Sequence, residues 1–340
     1  MTAGDALPER AWYRRLMPLG ALPLAQARPT TSREAALARF AELAAQDVGI
    51  PAATRTQLFE PDGVATATIV IWHGFTNAPS QFAAIAERLR SAGYRVLLPR
   101  MPYHGEENLL NRDLVKLTPG QLVDHLEVVV DIAAGFGAPV WAVGLSAGAT
   151  VAGWAAATRH EVRRLVLAAP LVAPVGFPLP LVRLFVKFPR IVPRLYWWWD
   201  PRVKAETVGS PHAYPGFPLP GIMSFLHLSE WLYDGSVQVG HDLERVVLVT
   251  NPGDFAIRKD AARAFASTVF EPRAGYFGEA LIDAELKWMH DFVDPLSPST
   301  GTTEQVAAIL LAALGTGEPT AGGVLEQPLV LEQPLVLEQP

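Results

Sequence analysis

The sequence predicts an α/β fold, a mostly parallel, doubly wound sheet interrupted by one insertion. Three observations carry that expectation. Short apolar and β-branched runs alternate with helix-period segments over residues 66–169. The alternation stops over residues 171–240, where proline and large apolar side chains accumulate, and resumes at residue 245. Between one strand and the helix after it stands Gly144-Leu145-Ser146-Ala147-Gly148, a Gly-x-Ser-x-Gly turn.

The elements follow in order. Residues 33–46 space their apolar groups as an amphipathic helix, expected to pack on the sheet or its edge. Residues 66–72 form a nearly continuous apolar run, the pattern of a strand buried on both faces. A helix at 79–92, a strand at 95–98, a helix at 119–134, a strand at 139–143, a helix at 147–158 and a strand at 165–169 complete the first half. After the insertion come a strand at 245–250, a helix at 259–267, a short strand within 269–277 and a helix at 303–314. The implied organisation is an N-terminal arm and helix (1–50), a core split into 51–170 and 241–315, a cap insertion (171–240) and a tail (316–340). From Val324 the tail repeats Leu-Val-Leu-Glu-Gln-Pro with proline every six residues, which excludes a continuous helix and predicts disorder.

Bulk composition narrows the function classes. The 340 residues allow one large domain or two small ones. Half of them are hydrophobic and 18% are charged, enough for a large core. A net charge of −6 without clustered Lys or Arg argues against nucleic acid as a partner. The absence of cysteine excludes disulfides, thiolate metal sites and cysteine nucleophiles. Residues 1–24 end in a short apolar stretch broken by Pro18 and Pro23, unlike a secretory signal, so a cytoplasmic location is expected. No uncharged apolar run reaches the length of a spanning helix.

Ser146 therefore reads as a nucleophile raised on a strained turn, with flanking glycines that avoid backbone clashes. A serine hydroxyl needs a base to take its proton. Of eight histidines, only His290 lies beyond the last predicted parallel strands. Asp254 follows the 245–250 strand in Asn251-Pro252-Gly253-Asp254, at the sheet end where ligands bind, and is preferred as the acid. Asp291 and Asp294 are too close to His290 in sequence, and Asp260 starts a helix. His73-Gly74-Phe75 follows the first core strand, so the backbone N–H groups of Phe75 and Ala147 are the expected oxyanion donors. His104, in the loop after the 95–98 strand, reads as a wall of the substrate site, together with Leu145, Trp197 and Trp198; a metal role for it lacks ligand spacing.

These pieces, with Pro102-Tyr103-His104-Gly105 and Met289-His290-Asp291, resemble the α/β-hydrolases of the monoacylglycerol lipase, carboxylesterase and serine aminopeptidase group over residues 66–314. The resemblance implies a Ser, Asp, His order, a cap after the sixth core strand and an oxyanion hole from Phe75 and Ala147. One departure is the loop Arg100-Met101-Pro102-Tyr103-His104-Gly105, where many relatives carry an Asp and an Arg before the Gly. Dehalogenases and epoxide hydrolases of this fold need an Asp at position 146 and are disfavoured.

The cap's Phe177, Leu181, Leu184, Phe185, Phe188, Tyr196 and three tryptophans suit an apolar acyl or aromatic guest, and equally suit packing of the lid onto the core. The expected chemistry is two-step acyl transfer on an ester, without cofactor or metal. A thioesterase, amidase or peptidase uses the same machinery, and a non-catalytic module that holds a hydrophobic ligand is a reading of another class. Trp197–Trp199, flanked by Arg190, Arg194, Arg202 and Lys204, also suits peripheral contact with a membrane surface.

Overall fold

The computed structural model describes residues 27–204, 209–298, 300–316 and the strand at 324–328. Helix α1 (Arg33–Ala44) is capped by Ser32, whose hydroxyl accepts from the Ala35 N–H. The chain then lays down β1 (Gln57–Phe59), β2 (Thr68–Trp72), α2 (Ala83–Ser91), β3 (Arg95–Leu98), α3 (Pro119–Gly135), β4 (Val140–Leu145), α4 (Ala147–Thr158) and β5 (Val162–Ala168). An insertion holds α5 (Leu179–Lys187), β6 (Tyr196–Trp198), β7 (Gly216–Pro218) and α6 (Leu219–Tyr233). The sheet resumes with β8 (Arg245–Thr250), α7 (Lys259–Phe270), β9 (Phe277–Ile282), α8 (Thr303–Ala313) and β10 (Val324–Pro328).

The sheet order is β1-β3-β2-β4-β5-β8-β9-β10, parallel from β3 to β9 with an antiparallel strand at each edge. Alternate residues of β2 feed two cores. Ile69 and Ile71 join the core with α2 and α8, and Val70 and Trp72 join the one with α3, α4 and α7, which explains the uninterrupted apolar run. The winding reverses between β2 and β4, so the turns that follow these two strands flank the switch point where α/β sheets bind ligands. Among the described residues, no helix is long and apolar enough to cross a membrane.

Several expectations change. Helix α1 packs on α3 instead of the sheet, and Arg39 reaches Asp131 at 3.0 Å. Strand β9 starts where the 269–277 strand was expected to end, because α7 continues to bury Phe265 and Phe270. The insertion leaves the sheet after β5, the fifth strand among the described residues; residues 27–56 hold no strand, and residues 1–26 lie outside the described ones. The first copy of the repeat, expected to be disordered, instead forms β10: β9 presents an open edge, and Val324 and Leu325 pair with Ile282 and Leu281. The rest of the tail beyond Thr316 lies outside the described residues.

Buried charge ties the helical layer to the sheet. Arg159, after α4, meets Glu127 at 2.7 Å, Asp131 at 2.7 Å and Glu161 at 2.8 Å. Its bidentate fork satisfies carboxylates that would be costly to bury alone.

Candidate active site

The turn after β4 is held in a conformation that few side chains adopt. Ser146 sits at φ +56° and ψ −117°. Its N–H donates to Ala168 O at 2.8 Å, and its carbonyl accepts from Ala149, Thr150 and Leu171 N–H at 3.0, 3.2 and 3.1 Å. Those bonds fix the strained residue from both sides. The two glycines of the motif are steric requirements: a Cβ on Gly144 would come within 2.2 Å of Gly148 O, and one on Gly148 within 2.1 Å of Trp72 O. Helix α4 crosses β4 at Gly144 and the end of β2 at Gly148 too closely for any larger residue.

Ala147 opens α4, and its N–H is one of those a helix start leaves unpaired. Neither it nor the Phe75 N–H meets an acceptor among the described residues. The loop carrying Phe75 is braced underneath. Gly74 N–H donates to Gln81 Oε1 at 2.7 Å, His73 Nδ1 lies 2.9 Å from Gly74 O, and His73 Nε2 accepts from Met101 N–H at 3.2 Å. That last bond requires a bare Nε2, so His73 is neutral with its proton on Nδ1. Burial, then the neighbouring His104, holds its pKa well below the ordinary value.

Asp254 and His290 arrive from the far side of the switch point. Asp254 Oδ1 accepts from Ala256 and Ile257 N–H at 2.7 and 3.1 Å, which leaves Oδ2 to meet His290 Nδ1 at 2.7 Å. Burial alone would raise the Asp254 pKa, but the His290 charge, its hydrogen bond and the two backbone donors lower it. For His290 burial works downward, and the Asp254 charge and bond, then Asp291, prevail and raise it. Ser146 and His290 line the same cleft.

One contributor escaped the sequence reading. Asn251 Nδ2 donates to Trp288 O at 2.9 Å and Met289 O at 2.7 Å, and its Oδ1 accepts from Gly253 N–H at 3.0 Å. It fastens the loop of Asp254 to the loop of His290. Nothing in its type marks it, since asparagine after a strand is ordinary turn chemistry.

The cleft has two lobes, and Ser146 and His290 line both. Trp197 lines the first, Leu145 lines the second, and Trp199 lines both. Two expected wall residues are elsewhere. Trp198 points to the other face of β6 and packs on Tyr196 at 4.6 Å, because alternate residues of a strand face opposite ways. His104 is fully buried behind Phe75, edge-on to its ring at 5.9 Å and to His73 at 5.1 Å.

The burial of His104 has a thermodynamic consequence. Desolvation outweighs its bond to Pro102 O and lowers its pKa to about 4. Between an unfolded value near 6.5 and that folded value the unfolded chain binds the extra proton, so stability falls as pH falls through this window. The loss from His104 alone is on the order of 3 kcal/mol. Denaturant titrations at pH 7 and pH 4.5 are expected to show a lower midpoint in acid, and His104→Phe to reduce the difference.

A profile described as the alpha/beta hydrolase family matches residues 69–276. A search of curated proteins finds no match. Among solved structures, one described under "LipS and LipT, two metagenome-derived lipolytic enzymes" superposes with TM-score 0.54 at 16% identity, covering 78% of this chain and 99% of its own. A soluble variant of monoglyceride lipase from Saccharomyces cerevisiae gives 0.51 at 14% identity, covering 72% and 85%. Those likenesses reflect the fold. With the matched profile spanning more than half of its length, and the sheet order and strained serine turn described above, the chain belongs to the alpha/beta hydrolase family.

Proposed function

We propose that the protein is a serine hydrolase that cleaves carboxylic esters with an apolar acyl or aromatic moiety. The observation that carries this reading is the 2.7 Å contact of His290 Nδ1 with Asp254 Oδ2, with His290 and the strained Ser146 facing one cleft. In the proposed reaction Ser146 attacks the carbonyl, His290 takes its proton and passes it to the leaving alcohol, and water repeats the sequence to release the acid. Phe75 and Ala147 N–H groups receive the oxyanion; donors of this kind are worth on the order of 3 kcal/mol each.

The insertion acts as the cap and supplies acyl selectivity. Apart from Ser146 and His290, the first lobe is lined by apolar and aromatic side chains, including Phe177, Val182, Phe185, Trp197 and Met223. Burying an acyl methylene there contributes about 0.8 kcal/mol. In a series of p-nitrophenyl esters, kcat/KM is expected to climb from acetate to a medium or long acyl chain before falling. A steady decline from acetate onward would refute the acyl assignment.

The rim favours a second reading, peripheral contact with a lipid surface. Leu195, Trp197 and Phe255 are 62%, 46% and 58% exposed. Binding to sedimenting anionic vesicles that weakens in Trp197→Ala supports this reading, and equal sedimentation of both proteins excludes it.

A further inference from the structure

The two lobes meet at Ser146 and His290, which places the scissile bond at their junction. They differ in chemistry. Among the described residues no acid, Lys or Arg lines the first lobe, whereas Thr76, Asn77, Gln81, Asp291 and Ser297 line the second. An acyl chain that must shed water belongs in the first, so the alcohol side of the ester lies in the second.

The second lobe is also unbalanced in charge. Among the described residues Asp291 is its sole carboxylate, and neither Lys nor Arg lines it. Asp291 Oδ2 accepts from Asn77 Nδ2 at 3.1 Å, while Oδ1 is shielded from water and makes no hydrogen bond among the described residues. The polar neighbours are already engaged with protein: Gln81 Oε1 accepts from Gly74, Asn77 Oδ1 from Ala78, and Thr76 Oγ1 from Trp199 Nε1 at 3.0 Å. A carboxylate that no described Lys or Arg of the lobe neutralises, in a lobe that a fixed indole also lines, is the combination that attracts an ammonium group, through charge and through the aromatic quadrupole. Resting on the serine-hydrolase reading, we propose that the second lobe takes a leaving group bearing an ammonium charge, and that Asp291 selects it.

Burial raises the Asp291 pKa to about 6, a Gln81 hydrogen bond opposing it and Asp294 adding to it, so the group is ionised at pH 8. Asp291 also holds Asn77, and through it the loop of Phe75, so a purely positioning role is the rival explanation. The two separate by comparing leaving groups instead of overall rates.

The test uses two esters of one acyl chain at pH 8, a choline ester and its neutral carbon isostere, the 3,3-dimethylbutyl ester. The wild type is expected to favour the choline ester by about tenfold or more in kcat/KM, a factor that charge pairing and cation–π contact together supply. In Asp291→Asn the ratio of the two is expected to fall toward one. Tetramethylammonium is expected to inhibit hydrolysis of the neutral ester competitively in the wild type, a readout that needs no variant. Equal kcat/KM for the two esters in the wild type, a preference that survives in Asp291→Asn, a proportional loss on both esters, or absence of inhibition would overturn the assignment. Hydrolysis of either ester that persists in Ser146→Ala would show instead that the serine-hydrolase reading itself is wrong. Hydrolysis of neither ester by the wild type overturns the leaving-group assignment as well.

Discussion

Replacing Ser146 by alanine is expected to lower kcat on a p-nitrophenyl ester by about 10⁵- to 10⁶-fold with KM little changed. The size follows from what the hydroxyl does. In the proposed reaction it supplies the bond-forming atom and the proton His290 accepts, so its loss leaves the oxyanion donors and the cleft without a reaction to assist, with roughly 10³-fold acceleration over water remaining. The turn itself is expected to persist. The Ser146 side chain makes no capping bond to α4, and the backbone bonds through its N–H and carbonyl do not depend on side-chain type. Unchanged denaturation midpoints alongside lost turnover would separate chemistry from folding. A loss below tenfold would remove Ser146 from the mechanism.

Asp254→Asn is expected to cost about 10⁴-fold in kcat/KM, by a route the hydrogen bonds specify. Ala256 and Ile257 N–H groups pin Oδ1, so an asparagine keeps its carbonyl there and turns its NH₂ toward His290. Two donors cannot share one bond, and the imidazole must carry its proton on the wrong nitrogen. The charge change acts as well. In the wild type the His290 pKa is raised by Asp254 against the opposing effect of burial, and the proposed mechanism requires neutral His290. The acid limb of the rate profile is therefore expected above the ordinary histidine value near 6.5, and to move to lower pH in Asp254→Asn. A limb that stays in place would dissociate the aspartate from the base.

The fold was legible where periodicity and length agreed. Strand β3, strand β8 and helix α4 have the bounds that the pattern predicts, since each is a buried run and Pro99 and Asn251 end the two strands. Strand β1 was missed because three half-buried residues carry no period. The position of Ser146 and the pairing of His290 with Asp254 were readable because the turn demands glycine at 144 and 148 and because the strand order leaves one late histidine. The wall of the cleft was not. His104 sits in the right loop but turns inward behind Phe75, and the choice between Trp198 and Trp199 depends on which face β6 presents. Likewise, the role of Asn251 exists only once the loops of Asp254 and Trp288 are brought together across 37 residues of sequence. Side-chain direction in loops and across-chain hydrogen bonds are tertiary facts, and residue order alone does not encode them locally.

In the proposed mechanism the His290–Asp254 pair makes Ser146 nucleophilic. A fluorophosphonate reagent tests it directly, because the reagent forms a covalent phosphonyl ester with an activated serine hydroxyl and releases fluoride. Intact mass spectrometry followed by peptide mapping is expected to find one adduct per chain on the peptide carrying Ser146, none in Ser146→Ala and slowed labelling in His290→Ala. An adduct on another residue, or labelling of Ser146 at the same rate without His290, would contradict it.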